Sequence, residues 1–179
     1  MTLPRRSLLQ LTALATLTLS LATAQAQTSL KIANIVELTG PGTTAGTMFR
    51  SGVELAIKDI NAAGGILGRP IESVTMDTQT NPGIAKGLAM KAIEDGAFAI
   101  FGPVYTGSIM VSQAETRKAE MPNFTAAAGA SVTLTGNPFI FRTGLTQTNS
   151  MPKTARYMAQ SLKLKKVAVI YVNNDFGKP

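Results

Sequence analysis

Three short stretches and two isolated carboxylates carry the residue types in this sequence that could do chemistry. Val104-Tyr105-Thr106-Gly107-Ser108 places two hydroxyls and a glycine where a helical pattern begins. There, free backbone N–H groups and the positive end of the helix dipole favour an anion. The Thr106 hydroxyl can touch such a ligand or cap the helix, and the two roles are compatible. Tyr105 can stack on a ligand or simply cover the loop. The second stretch, Thr125 to Ser131, reads Thr-Ala-Ala-Ala-Gly-Ala-Ser. Small residues there suit close approach of backbone to a ligand and equally a tight packing turn. The third is Gly40-Pro41-Gly42 with Gly46, one residue out of register with a dinucleotide-binding glycine loop, with Asp77 where a ribose-binding acid would stand. A tight strand-to-helix turn accounts for those glycines more simply. Glu37 and Asp77 have no partner carboxylate at a readable spacing, so a hydrolase built on an acid pair is not supported. The chain has neither cysteine nor histidine, which excludes disulfides, thiolate or imidazole metal sites and His-dependent nucleophilic triads. No catalytic residue, metal ligand or cofactor is expected.

The elements that must position these residues alternate in type. Leu30 to Val36 is an apolar, β-rich run, and Gly46 to Ala63 follows with Phe49, Val53, Ala56, Ile57 and Ile60 at helical spacing. Ile71 to Asp77 predicts a second strand. Asn81-Pro82 opens a helix with Ala85, Leu88, Ala89, Ala92 and Ile93 inward. Ala97 to Phe101 is a third strand, Thr106 to Lys118 a helix with Met110, Val111 and Ala114 inward, and Pro122 to Thr125 a fourth strand. This rhythm predicts an α/β domain with a doubly wound, mostly parallel sheet. Phe139 to Arg142 is a brief extended segment. The pattern then restarts with a helix capped by Ser150, carrying Pro152 in its first turn, and a strand from Val167 to Val172.

The composition, 45% hydrophobic and 15% charged, fits a globular domain. Arg5-Arg6, the apolar run from Leu8 to Leu21 and Ala24-Gln25-Ala26 have the layout of a secretory signal peptide cleaved before Gln27, with either the general secretory or the twin-arginine route open. The net charge of +7 is unevenly placed: residues 142–179 hold seven basic residues against Asp175 alone. Lys163, Lys165 and Lys166 sit where a helix would end and complement its dipole, and no aromatic residues are interleaved among them to stack bases. Nucleic acid is not an expected partner.

The most specific pattern is Asn61-Ala-Ala-Gly-Gly-Ile-Leu-Gly-Arg-Pro70, whose paired glycines supply a left-handed helix end before the next strand. Taken with Leu38-Thr39-Gly40-Pro41, Gly52-Val-Glu-Leu-Ala56, Phe101-Gly102-Pro103 and Phe141-Arg142-Thr143, it closely resembles the leucine/isoleucine/valine-binding family. These are substrate-binding proteins of ABC importers with the type I periplasmic fold. The resemblance implies two lobes that close on an amino acid or similar small carboxylate and deliver it to a membrane permease. It implies residues 27–141 as the first lobe and 142–179 as the hinge crossover and an incomplete start of the second. A sensor of the same fold, a receptor ectodomain or regulator, is the alternative.

By the same resemblance the ligand contacts fall on Tyr105, Thr106, Gly107, Ala127, Ala128, Gly129 and Phe176. Thr106 matches the family's carboxylate-binding hydroxyl, with threonine for the usual serine, and Ala127 matches the position whose backbone carbonyl takes the ligand's amino group. Gly129 stands where branched-chain binders have threonine. Either Ser131 restores that hydroxyl or the ligand is not a branched-chain amino acid. Two further tyrosine positions of the family read as Ala45 and Phe176, so the aromatic wall differs as well.

Overall fold

A computed structural model describes residues 28–178. The proposed signal segment therefore lies outside the described residues. Five strands form one parallel sheet in the order β2-β1-β3-β4-β5: β1 Leu30–Val36, β2 Ile71–Asp77, β3 Ala99–Phe101, β4 Asn123–Thr125 and β5 Ile140–Arg142. Helices α1 Thr43–Ala62, α2 Pro82–Glu94 and α3 Thr106–Lys118 connect the first four strands. The chain steps outward from β1 to β2 and then back across β1 to β3, so the order reverses between β1 and β3. In open α/β sheets a ligand crevice forms beyond the carboxyl ends of the strands at that point.

The apolar core beneath α2 joins Ala33, Ile35 and Ile100 of the sheet to Ala89 and Ala92, with Leu88 and Ile93 packed against it, as the alanine-rich stripe predicts. Asn81 caps α2, its side-chain oxygen accepting from Gly83 and Ile84 N–H, with Pro82 in the first turn. Phe101, Phe124 and Phe141 stack across three neighbouring strands with ring centroids 5.0 and 5.1 Å apart. Gly64 and Gly65 have φ of +100° and +76°, the left-handed conformation expected after α1.

Four expectations need correction. In α1, Phe49, Val53 and Ile57 are half-buried, but Ala56 and Ile60 are exposed, because the helix packs mainly on β1 and β2 at one side of the sheet. In α3 the buried face is Ile109, Ser112, Gln113 and Thr116, while Val111 and Ala114 face solvent and Met110 is partly buried. Polar residues can face inward there because their groups are satisfied locally. Ser112 and Thr116 donate to carbonyls of their own helix, and Gln113 accepts from the Thr135 hydroxyl at 3.1 Å. The fourth helix, α4, runs Gln147–Arg156 and starts a turn before Ser150. Thr146 is its N-cap, accepting from Thr148 N–H, and a π-helical turn continues it over Tyr157–Ser161. Val167 to Val172 forms no strand. The sheet ends at β5, no described strand lies beside this segment, and its side chains are exposed. A strand exists only through its ladder partners.

Candidate functional site

At the switch point, the carboxyl ends of β1, β3 and β4 open into a cleft of about 780 Å3. Its floor is the loop from β3 into α3, gripped from both sides. From β4, Asn123 Nδ2 donates to the Gly102 carbonyl at 2.6 Å, and the Thr125 hydroxyl donates to the Pro103 carbonyl. From the end of β1, the fully buried Glu37 carboxylate accepts from Val104 N–H at 3.1 Å and Tyr105 N–H at 3.2 Å. Burial pushes the pKa of Glu37 above the ordinary carboxylate value, and the two N–H groups only partly offset it. Tyr105 in turn donates its hydroxyl to the Pro41 carbonyl at 3.1 Å, tying the loop to the start of α1.

This grip presents the N-terminus of α3 to the cleft. Tyr105 is its N-cap and supplies no side-chain cap, so the first-turn N–H groups, which have no intrahelical acceptor, belong to the residues lining the cleft. Thr106 does not cap the helix. Its buried hydroxyl instead accepts from Gly129 N–H at 3.2 Å, which leaves its own proton available to donate. Ser108 is 1% exposed, lines the same cleft and sets its hydroxyl beside the Glu37 carboxylate.

The opposite rim is the loop after β4. Arg142, from the end of β5, donates to the Ala127 carbonyl at 2.6 Å, the Gly129 carbonyl at 2.9 Å and the Thr133 hydroxyl at 3.1 Å. Burial pulls its pKa down from the ordinary arginine value, and no carboxylate forms an ion pair with it among the described residues. The loop is therefore folded around a guanidinium. The glycine at 129 also has a steric cause: a Cβ there would stand 2.4 Å from the Thr106 methyl. Threonine at 106 and glycine at 129 are one packing solution, coupled through that methyl.

Of the sequence-predicted residues, Tyr105, Thr106, Gly107, Ala128 and Phe176 line the cleft together. Ala127 and Gly129 lie behind the wall, buried, with their carbonyls on Arg142. Ser131 does not replace the missing hydroxyl, since it is outside the cleft lining and its Oγ contacts Met110 Sδ at 3.7 Å. Phe176 is held by the turn that follows residue 172: Asn174 Oδ1 accepts from Phe176 and Gly177 N–H, and Gln147 Nε2 donates to the Phe176 carbonyl at 2.7 Å. Asp77 lies outside the cleft lining. Both its oxygens tie loops together, accepting from Leu38, Thr39 and Gln79 N–H and the Thr39 hydroxyl. Burial works to raise its pKa, but these donors outweigh that and hold it below the usual aspartate value.

Pro41, Thr80 and Pro82, missed by the sequence reading, bring the loops after β1 and β2 to the same cleft. Their proximity depends on strand order, although placement of every loop at the carboxyl edge could have been expected from the parallel sheet. The lining is mainly apolar, and Asp175 is its one charged residue. No cluster of acidic residues suited to a metal ion occurs among the described residues.

These features define a binding cleft of the periplasmic type, and the family comparison agrees: the chain belongs to the periplasmic binding protein family, which it matches over residues 29–179. It is 30% identical over 151 residues to the leucine-, isoleucine-, valine-, threonine-, and alanine-binding protein of Pseudomonas aeruginosa, covering 84% of this chain and 40% of that protein. A periplasmic binding protein type 1 from Bordetella pertussis superposes with a TM-score of 0.77 at 29% identity, over 84% of this chain and 42% of that one. The solute binding protein of an ABC transporter from Rhodopseudomonas palustris BisB5, in complex with 3,4-dihydroxy benzoic acid, gives 0.76 at 27%, over 84% and 41%. The chain thus spans about two fifths of the length of the relatives it matches.

Proposed function

We propose that this chain forms the first lobe of an exported solute-binding protein that captures a small carboxylate and passes it to an ABC permease. The observation that carries this reading is the uncapped N-terminus of α3, opening with Thr106, Gly107 and Ser108 into an apolar cleft at the switch point of the sheet. Backbone N–H groups and the helix dipole there hold a carboxylate without any cationic side chain, and the cleft lining contains none. Thr106 Oγ donates its free proton to the same carboxylate. Tyr105, Ala128 and Phe176 form apolar walls, while Ala127 and Gly129 shape the rim from behind. Residues 27–141 are the lobe, and residues 142–179 cross the hinge and begin a second lobe that supplies the opposite wall. The amino-acid and aromatic-carboxylate binders among its relatives make either ligand class chemically consistent with these walls.

Export rests on residues 1–26, and N-terminal sequencing of secreted protein tests it: a start at Gln27 supports the reading, and a start beyond Leu30, inside β1, contradicts it. The ligand class is tested by calorimetry of the full-length protein with benzoate, 4-hydroxybenzoate and leucine against the corresponding amides, in which an uncharged group replaces the carboxylate. At least one carboxylate should bind tenfold or more tightly than its amide. Equal binding of acid and amide for every pair would contradict the proposal.

A further inference from the structure

Glu37 is an unusual residue to find beneath an anion site. Its carboxylate is fully buried and is shared between the N–H groups of residues 104 and 105, immediately before the first turn of α3, whose Thr106, Gly107 and Ser108 line the cleft. The start of α1 packs closely on this residue: a Cβ on Gly46 would lie 2.1 Å from the Glu37 carbonyl oxygen, and one on Gly42 would lie 2.7 Å from Glu37 Cβ. A bound carboxylate would therefore share one helix N-terminus with a second negative charge, separated from it by only two or three peptide units.

We propose that ligand binding in this cleft takes up a proton at Glu37, so that carboxylate ligands bind more tightly at mildly acidic pH. The proposal rests on the carboxylate reading of the site.

Each element packed on Glu37 bears on that proton. From α1 and its preceding turn Gly42 and Gly46 pack on it, and neither titrates. From the loop before α3 the titratable side chain is Tyr105, whose hydroxyl is engaged with the Pro41 carbonyl. From α3 the buried Ser108 hydroxyl lies beside the carboxyl and favours its charged form, acting with the N–H donors against protonation. At the neighbouring end of β2 is Asp77, itself negative and tied to Leu38 and Thr39. In the cleft lies Asp175, with Oδ2 3.8 Å from where a Cβ on Gly107 would stand. Arg142 is occupied with the far rim, and no lysine or arginine forms an ion pair with Glu37 among the described residues. Burial already favours the neutral acid, opposed mainly by two N–H donors. Adding an anion to the same helix end pushes further in that direction, and by linkage the protonated protein binds that anion better. The proton comes from bulk water and is released when the ligand leaves.

The test uses the full-length protein, with benzoate and leucine as probes. Calorimetry at a series of pH values above the ordinary glutamate range, in two buffers of different ionisation enthalpy at each, reads the protons taken up on binding. A net uptake between zero and one proton is expected, with affinity falling about tenfold as pH rises by one unit or more through the titration of Glu37. Glu37→Gln should abolish the uptake and flatten the pH profile, whatever it does to affinity itself. In parallel, the 13C carboxyl resonance of Glu37 in the unaltered protein should titrate above the ordinary glutamate range and move higher when a probe is bound. Zero uptake with a bound probe, or a Glu37 resonance that ignores it, overturns the proposal. If acid and amide probes bind equally, the carboxylate reading has failed and the coupling falls with it; a bound acid without proton uptake removes the coupling alone.

Discussion

Replacing Arg142 with methionine should unfasten the rim of the cleft while keeping most of the side chain's apolar stem. The guanidinium makes three hydrogen bonds, two of them to carbonyls of the buried residues Ala127 and Gly129 at 2.6 and 2.9 Å. Charge-assisted bonds contribute roughly 1.5–3 kcal/mol each, and an orphaned buried carbonyl costs about 1–3 kcal/mol. Relief from desolvating a partly buried cation offsets some of the loss. A net destabilisation of about 3 kcal/mol follows from those ranges. For a folded unit of this size that lowers Tm by about 6–12 °C. Arg142→Lys should fall between the two proteins, because an ammonium on a single point cannot span two carbonyls as a planar fork does. Urea denaturation monitored by far-UV circular dichroism measures the difference directly. A loss below about 1 kcal/mol, or a lysine variant as stable as the original, would refute the view that the loop is folded around this guanidinium.

Thr106→Val should weaken carboxylate binding by about tenfold or more, from a loss of roughly 1.5–3 kcal/mol, whereas Thr106→Ser, which keeps both the donor and the bond from Gly129, should stay near the original affinity in calorimetry. Asp77 is held below its ordinary pKa, so its contribution to stability is complete above the unfolded value of about 4 and is lost as pH falls below it; Asp77→Asn should show a flatter acid limb in denaturation from pH 5 to pH 2. Glu37 works in the opposite sense: its raised pKa means that its ionisation opposes folding as pH climbs from the unfolded value towards the folded one, a slope that Glu37→Gln should remove. In limited proteolysis of the 179-residue chain, the exposed run from Leu162 to Val172, where Ile170 is 97% accessible, should be cut first and the five-stranded sheet should remain protected.

The sheet and its three covering helices were legible because burial on both faces leaves continuous apolar runs, as in Ala99-Ile100-Phe101, and because Asn81-Pro82 marks a helix start by its chemistry. The inward face of α3 was not, since Ser112, Gln113 and Thr116 read as surface residues until their hydrogen bonds to α3 carbonyls and to Thr135 are seen. The strand expected at Val167 to Val172 had the right composition, but pairing belongs to the neighbour as much as to the segment itself. At the site, Tyr105, Thr106 and Gly107 could be found from the helix they begin. Arg142 could not, because an arginine 13 residues from Gly129 carries no signal that it will close on that loop's carbonyls. Glu37 was visible as a carboxylate at a strand end, but its role depends on two amides 67 and 68 residues away.

The central claim, that a carboxylate docks on the N-terminus of α3, is tested most directly by following backbone 15N–1H resonances of the full-length protein during titration with benzoate and with leucine. The largest shifts should fall on Thr106, Gly107 and Ser108 for whichever acid binds, and should be absent with the matching amide. Saturable binding whose largest shifts lie elsewhere, with these three amides unmoved, would contradict it.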